Sequence, residues 1–460
     1  MTMKWEKLLS DKRFRDRSKK DSNDARNAFE DDISRIIFSS AFRRLQDKTQ
    51  VFPLERDSLV RTRLTHSMEV SNIGRSIGLS VEGKLLKNKA IGEGLKGFIP
   101  SIVAAAGLIH DLGNPPFGHY GEDAFKNFYK GKNDTLKDWL NEELIEDLLH
   151  FDGNVQTFRH LLKLQFLKDK FSYNLSYPTL ATIVKYPCSS KEGNKKDASN
   201  ICQKKYGFFK SEKVKFEEIW TFLGIPAKAR HPLTFILEAA DDIAYSANDL
   251  EDGVRKNIIN SDTFIKKLDI FIKEENIHSD DPLVEVYNRC KVIKEQDEAG
   301  IENCIIEQFR IEAHSRMIKS AVEAFVDESN YNKIMEGKFS SELLEKSEAK
   351  NIRKFFSSFA RKDVFSSKDV LKLELMGEEV IYGLLSKFFI IVNAEKEDLE
   401  KTKGKEGKIY HLISENYRFL HENYTTDSKI DRIQLINDYI CGMTDSYALQ
   451  TYRKLTGIEL

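Results

Sequence analysis

Apolar residues recur three and four positions apart over most of this chain, the spacing of one helix face. Ile33, Ile36, Ile37, Ala41, Phe42 and Leu45 share such a face and predict a helix from about residue 31 to 45. A second is predicted over 61–86. Its Gly74 and Gly78 lie four apart and would let a neighbouring helix approach closely, although each costs about 1 kcal/mol of helix propensity. A third starts near residue 99. Ile102, Val103, Ala104, Ala105, Ala106, Leu108 and Ile109 give it a thin, buried face. Gly113, Pro115, Pro116 and Gly118 then forbid continuation, because proline lacks an N–H and glycine favours turns. Further helices are expected over 121–129, 136–149 and 154–167. The best delimited covers 231–253, with Pro232 suited to the first turn and Gly253 to the stop. Beyond residue 261 the period persists over 305–326, 343–359, 370–392, 409–422 and 430–455. The fold class that follows is all-α.

Between these elements the chain reads as irregular. Residues 1–30 form a charged surface arm, helical near 5–9. Residues 47–57 make a loop or short hairpin. Residues 186–212, rich in Ser, Gly, Asn and Lys, interrupt the pattern and read either as a disordered surface insertion or as a lid.

Composition narrows the class. Only 9 prolines and 24 glycines in 460 residues fit a mostly helical protein. With 72 basic and 73 acidic residues the net charge is −1, so no global basic field attracts nucleic acid and any polyanion site must be local. The five cysteines are scattered without a CxxC pair, which argues against a disulfide framework or a zinc ribbon. The charged start lacks a signal-peptide core, and the longest apolar run, near 98–109, is too short to span a bilayer and contains Pro100. A cytoplasmic protein without membrane association is expected.

Candidate chemistry concentrates where the third helix stops. His110, Asp111, His119 and Glu122 fall within thirteen residues, two on each side of the Gly/Pro loop. A His-Asp pair can simply cap a helix end. A second His-carboxylate pair pinned by a rigid loop points instead to metal ligation or proton transfer. Within 231–253, Asp241, Tyr245 and Asp249 form one stripe, with Glu238 and Asp242 at its edge. That stripe is either a solvated face or a set of carboxylates aimed into a polar cavity. With His66 near the start of the second helix, the chain offers two imidazoles and two carboxylates. Such a mixed N/O set suits Mn2+ or Mg2+, with Fe2+, Ni2+ and Zn2+ as alternatives.

In their order, His66, His110-Asp111 and Asp241 resemble the H…HD…D signature of the HD phosphohydrolase superfamily. Flanking stretches narrow the resemblance. Residues 42–52, 63–70, 109–122, 153–157, 238–246 and 438–445 are similar to deoxyguanosine triphosphate triphosphohydrolases, in family order. The resemblance implies hydrolysis of dGTP, or of several dNTPs, to deoxynucleoside and inorganic tripolyphosphate. It implies a metal held by His66, His110, Asp111 and Asp241, and a catalytic pair His119 and Glu122. It further implies base and sugar contacts from Gln50 and Val51, and phosphate contacts from Arg63, Lys185 and Tyr186. Tyr245 matches the residue under the deoxyribose and Asp249 a contact on the 3′ or phosphate side. Phe365 and Glu374 match base-side residues that the resemblance assigns to a neighbouring subunit. An HD-domain core over 31–260, with 261–460 completing the site and the oligomer, is the expected organisation. A homo-oligomer, a hexamer by family resemblance, and a dNTP or single-stranded DNA effector are the implied partners. Asn114, where nucleotide-regulated members often have a further His, looks like the bacterial branch.

Two rivals remain at this level. One is another HD phosphohydrolase acting on nucleoside monophosphates or (p)ppGpp, against which the flanking stretches argue. The other is a nucleotide sensor or single-strand nucleic-acid binder with vestigial hydrolysis, against which the complete ligand set and the His119/Glu122 pair argue.

Overall fold

The computed structural model describes residues 2–15, 24–50, 54, 60–165, 170–193, 200–255, 260–296, 302–359 and 368–458; side chains of 247–255, 293–296, 302–304 and 368–370 lie outside that description. Among the described residues every regular element is helical, and the only β-like feature is an isolated antiparallel bridge between Thr49 and Thr62. No described helix is long and apolar enough to cross a membrane.

Ten helices carry the architecture: α1 Ala28–Ile37, α2 Arg63–Lys87, α3 Phe98–Ile109, α4 His119–Gly131, α5 Gly153–Arg159, α6 Pro232–Arg255, α7 Glu302–Val326, α8 Lys368–Phe388, α9 Lys429–Cys441 and α10 Asp445–Thr456. Helix α3 lies at the centre, buried from Ile99 to Ile109. Helix α2 runs along it where both are thinnest. A Cβ on Gly107 would come 2.6 Å from the Ser71 Cα, and one on Gly78 would come 3.0 Å from the Pro100 Cα. The close approach expected at Gly74 and Gly78 is therefore made, and α3 is the helix that makes it. Helix α6 packs on α2 and α3, α7 covers α6 and α2, and α1 closes the other side of α3.

The core has two parts. The first joins Val70, Ile109, Leu233, Ala240 and Ile243 to residues between 264 and 359. The second is built around α4, α8, α9 and α10, with Phe125, Phe128, Leu384, Phe388, Ile436 and Ile440 at its centre. The loop between α3 and α4 passes from one to the other: Leu112 belongs to the first and Phe117 to the second. The motif singled out in the sequence thus sits on the seam.

Two expectations fail. Residues 1–30 are not simply a surface arm. Trp5–Leu8 is a short helix, as anticipated, but Trp5 is buried and donates its indole N–H to the Tyr331 hydroxyl at 2.9 Å. Arg13 is 1% exposed; its guanidinium meets Asp32, the Asn174 carbonyl and the Ala28 carbonyl. Breaking such a buried pair costs about 3–5 kcal/mol, so this stretch is part of the fold. Nor do the described parts of 186–212 form a loose insertion. Tyr206 is fully buried and donates to the Asp147 carbonyl at 2.6 Å, while Phe208 stacks on Phe216 at 4.1 Å.

Several predicted helices are divided. The pattern over 31–45 breaks between α1 and Ser40–Arg44, where the Ser39 side chain accepts the Phe42 N–H. That over 136–149 breaks before Glu142–Leu149, where Asn141 accepts the Leu144 N–H. That over 430–455 breaks between α9 and α10, where Thr444 accepts the Tyr447 N–H. A short polar side chain capping a restart can interrupt an apolar period without altering it. Likewise 343–359 divides into Leu344–Lys346 and Lys350–Phe359, and 409–422 into Lys405–Leu412 and Glu415–Tyr424. Cys188, Cys202, Cys290 and Cys441 are buried.

Candidate functional site

A capping box at Thr62 and Thr65 starts α2 at Arg63, placing Arg63 and His66 three apart in its first turn. Both side chains are buried. Helix α3 ends at Ile109 and delivers His110 and Asp111 to the same point. The His110 Nδ1 lies 2.8 Å from the Gly107 carbonyl, an acceptor only, so Nδ1 carries the proton. The other nitrogen, Nε2, is buried and has no hydrogen-bond partner among the described residues. Its neighbours are carboxylate oxygens: Asp241 Oδ1 at 3.4 Å and Asp111 Oδ1 at 3.6 Å. Asp241, from α6, also approaches the His66 Nε2 at 3.2 Å.

A lone pair facing two carboxylates is repulsive unless a cation lies between them. One ligand atom each from His66, His110 and Asp111 lies within 4.8 Å of the others, the spacing a single ion can bridge. Burial alone would lower the His110 pKa, yet Asp111 and Asp241 raise it, which expresses the same demand for positive charge. The nitrogen and oxygen donors fit a divalent cation, and the Gly107 carbonyl orients His110 as a supporting acceptor does in metal sites.

The outer oxygens of both carboxylates carry cations. Arg63 Nη1 donates to Asp111 Oδ2 at 2.5 Å, and Lys185 Nζ to Asp241 Oδ2 at 2.6 Å. Burial would raise both acids, but His110 and Arg63 hold Asp111, and Lys185 and His110 hold Asp241, well below the usual carboxylate range. Lys185 and Tyr186 are braced by Arg230. Its Nε donates to the Lys185 carbonyl at 2.6 Å, its guanidinium lies over the Tyr186 ring, and Glu238 takes the remaining charge. Glu238 therefore belongs to this brace.

Across the opening stands the second pair. His119 opens α4 after Gly118, whose φ of 60° is left-handed; a Cβ there would also come 2.8 Å from an Arg63 guanidinium nitrogen. The His119 ring is 81% exposed, and its Nδ1 lies 3.3 Å from Oε2 of the buried Glu122. The other Glu122 oxygen accepts the Gly153 N–H at 2.8 Å. The hydrogen bond to Glu122 raises the His119 pKa above its ordinary value. From α5, the Thr157 hydroxyl accepts the Gly113 N–H at 2.9 Å and lies 3.2 Å from the His110 carbonyl, so this helix braces both pairs.

The two pairs share a cavity of about 510 Å³. Its lining includes nine residues expected from the sequence: Gln50, Arg63, Asp111, His119, Glu122, Lys185, Tyr186, Asp241 and Tyr245. His66 and His110 lie beneath it, against Asp241. Glu374 does not line it; its carboxylate meets the hydroxyl of Tyr120, which does. Val51 and Phe365 lie outside the described residues, as does the side chain of Asp249, two turns beyond Asp241 on α6.

Sequence reasoning missed Lys205. It lines the cavity, where Asp152 holds its ammonium; burial would lower its pKa, but Asp152 and Glu122 raise it. No local pattern marks it, because a lysine in a Lys-rich irregular stretch looks like any surface lysine. Asn114, Asn154 and Tyr120 also join the lining.

Comparison with known proteins agrees with this geometry. Residues 63–244 match the HD domain, and residues 343–454 match the phosphohydrolase-associated domain. The chain is 39% identical to a deoxyguanosinetriphosphate triphosphohydrolase-like protein of Listeria innocua, over 99% of this chain and 100% of the relative. It is 34% identical to a protein of the same description from Synechocystis sp., over the full length of both. It is 33% identical to the deoxyguanosinetriphosphate triphosphohydrolase of Yersinia enterocolitica, over 96% of each. The chain belongs to the deoxyguanosinetriphosphate triphosphohydrolase family of HD-domain enzymes.

Proposed function

We propose that this enzyme hydrolyses deoxynucleoside triphosphates, dGTP by preference, to the deoxynucleoside and inorganic tripolyphosphate in a metal-dependent reaction. The observation that carries the reading is the meeting, in one cavity, of a His/Asp cluster, a His-carboxylate pair and three cations, Arg63, Lys185 and Lys205. A triphosphate carries about four negative charges, and lysine and arginine are the side chains that bind phosphate oxygens most strongly.

His66, His110, Asp111 and Asp241 would hold the ion, Mn2+ or Mg2+ by preference, with Fe2+, Ni2+ and Zn2+ compatible with the imidazoles. When bound, it supplies Lewis-acid polarisation at the α-phosphoryl oxygen and a more acidic water. The remaining steps belong to the chain. Arg63, Lys185 and Lys205 grip the triphosphate and withdraw charge from it. Glu122 accepts the Nδ1–H of His119 and fixes its tautomer, which leaves Nε2 for proton transfer. As water attacks the α-phosphorus and the bond to the 5′ oxygen breaks, one proton leaves the water and one reaches that oxygen. His119 Nε2 serves one of these two transfers.

Gln50 and Val51 face the base and sugar in this reading. Gln50 Oε1 lacks a hydrogen-bond partner among the described residues and suits a donor on the ligand. Tyr186 adds a phosphate contact, Tyr245 lies under the deoxyribose, and Asp249 serves the 3′ or phosphate side. Phe365 and Glu374 serve the base side from a neighbouring subunit. A homo-oligomer, a hexamer by family resemblance, with a dNTP or single-stranded DNA effector completes the proposal.

The test is product analysis with each dNTP, singly and in pairs, in Mn2+ and in Mg2+. Tripolyphosphate plus deoxyguanosine from dGTP is the expected result. Pyrophosphate, orthophosphate or no turnover under any pairing would overturn it.

A further inference from the structure

Residues 438–445 take part in the family resemblance, yet none of them lines the cavity. What Asp445 does instead is visible in its hydrogen bonds. It opens α10 and is 1% exposed. Its Oδ1 accepts the Phe117 N–H at 3.0 Å. Its Oδ2 accepts the Thr49 N–H at 3.0 Å and the Thr49 hydroxyl. Thr49 immediately precedes Gln50, and Phe117 stands two residues before His119. One buried carboxylate thus ties together two walls of the cavity, both of which contribute lining residues.

Neighbouring groups reinforce the tie. Lys48 Nζ donates to the Asn114 and Cys441 carbonyls, each at 2.6 Å, linking the same wall to the catalytic loop and to the end of α9. Ser446 donates to Asp47 at 2.8 Å. The loop needs such support. Phe117 has φ 62° and Gly118 φ 60°, so two successive residues are left-handed. A phenylalanine in that region is strained and persists only where its surroundings over-determine it. Those surroundings are Asp445 on the Phe117 N–H and Gly377 of α8, where a Cβ would come 2.8 Å from the Phe117 Cβ.

We propose that Asp445 is a positioning residue for the reaction: by holding Phe117 and Thr49 on one carboxylate, it sets His119 at its working distance from the Gln50 wall. The inference rests on the functional reading above. The group must be a carboxylate because donors face both of its oxygens. An asparagine would turn its own NH2 against a backbone N–H and lose one wall.

A double-mutant cycle tests it. We would measure kcat and KM for tripolyphosphate release from dGTP in wild type, Asp445→Asn, His119→Ala and the double variant, with Mn2+ binding followed by calorimetry. Asp445→Asn should lower kcat about 10–100-fold, the scale of a misplacement near 1 Å, while Mn2+ affinity stays within about threefold. In the His119→Ala background the same change should cost less than about threefold, because two residues acting through one step are not additive. An equal loss in both backgrounds, or a wild-type kcat in Asp445→Asn, would overturn the proposal. If Asp445→Asn does not fold, Asp445→Glu runs the same cycle, since it keeps both acceptors and lengthens the tie by one methylene. A wild-type enzyme that releases no tripolyphosphate would sink the functional reading and the tie with it. An active enzyme with an additive cycle would sink the tie alone.

Discussion

His119 Nδ1 stands 3.3 Å from Glu122 Oε2, and the other oxygen of that carboxylate is held by the Gly153 N–H at 2.8 Å. Glu122 is thus fixed before it meets the imidazole, and its hydrogen bond raises the His119 pKa, against the opposing charges of Arg63 and Lys205. A pH-rate profile should therefore carry a limb above the ordinary imidazole value of about 6.5. Glu122→Gln removes the charge that stabilises the imidazolium, so the proton should leave at lower pH and the limb should move down. The direction is the same whether His119 works as base, with activity gained as pH rises through the limb, or as acid, with activity lost. A limb that stays in place in Glu122→Gln would dissociate it from this pair.

His119→Ala should lower kcat by about 10²–10⁴, the usual share of a positioned acid or base, while leaving Mn2+ binding intact. The ring is 81% exposed, so its loss leaves no cavity in the core and little change in Tm is expected. Wild-type turnover in this variant would remove His119 from the mechanism.

The sequence made this pair and the His/Asp cluster legible because the residues lie on strongly periodic helices or in a loop whose Gly/Pro content leaves few conformations. The helix breaks were less legible, since a capping Ser39, Asn141 or Thr444 leaves the apolar period nearly intact. Gly442, followed one residue later by Thr444-Asp445, is a stop-and-restart signal that the apolar period outweighs. Arg13 and Lys205 were hidden for another reason. Charge is read as exposure, and the buried partners of these residues, Asp32 and Asp152, lie 19 and 53 residues away.

Gly153 gives a more local test of the carboxylate. A Cβ there would lie 1.9 Å from Asn114 Oδ1 and 2.9 Å from Glu122 Oε1. Gly153→Ala must push Asn114 aside or open the bond that holds Glu122. It should destabilise the enzyme by about 1–3 kcal/mol, the usual cost of overpacking. Steady-state kinetics should show kcat down about 10–100-fold, as expected for a displaced catalytic group. Thermal melts and kinetics together check it; wild-type values in both would mean that the site yields freely at this point.

The metal cluster makes its own prediction. Added Mn2+ should raise the Tm of the wild type, because a ligand at 100 times its Kd contributes about 2.7 kcal/mol to the folded state. His66→Ala and Asp241→Ala each remove a donor from the cluster and should abolish both the shift and calorimetric binding. Asp241→Ala also strips Lys185 of its partner at 2.6 Å, so it should cost more stability than His66→Ala does. An unchanged Mn2+ shift in either variant would move the metal elsewhere.

Lys48 connects stability to pH at a distance from the His/Asp cluster. It is 3% exposed, and burial lowers its pKa to about 7, despite the favourable charge of Asp445. An unfolded lysine titrates near 10.4. Between pH 7 and that value the unfolded chain therefore binds more protons at this position than the folded one. Stability must rise with pH across the window, and the cost of keeping the amine buried is present in full below it. Lys48→Met removes the titration but also both bonds, to Asn114 and Cys441. The variant should lose this rise of Tm between pH 7 and pH 10. It should also lose activity at every pH in that range, because the catalytic loop has lost one of its ties. A Tm profile parallel to that of the wild type would mean that the buried amine stays charged, held by the two carbonyls.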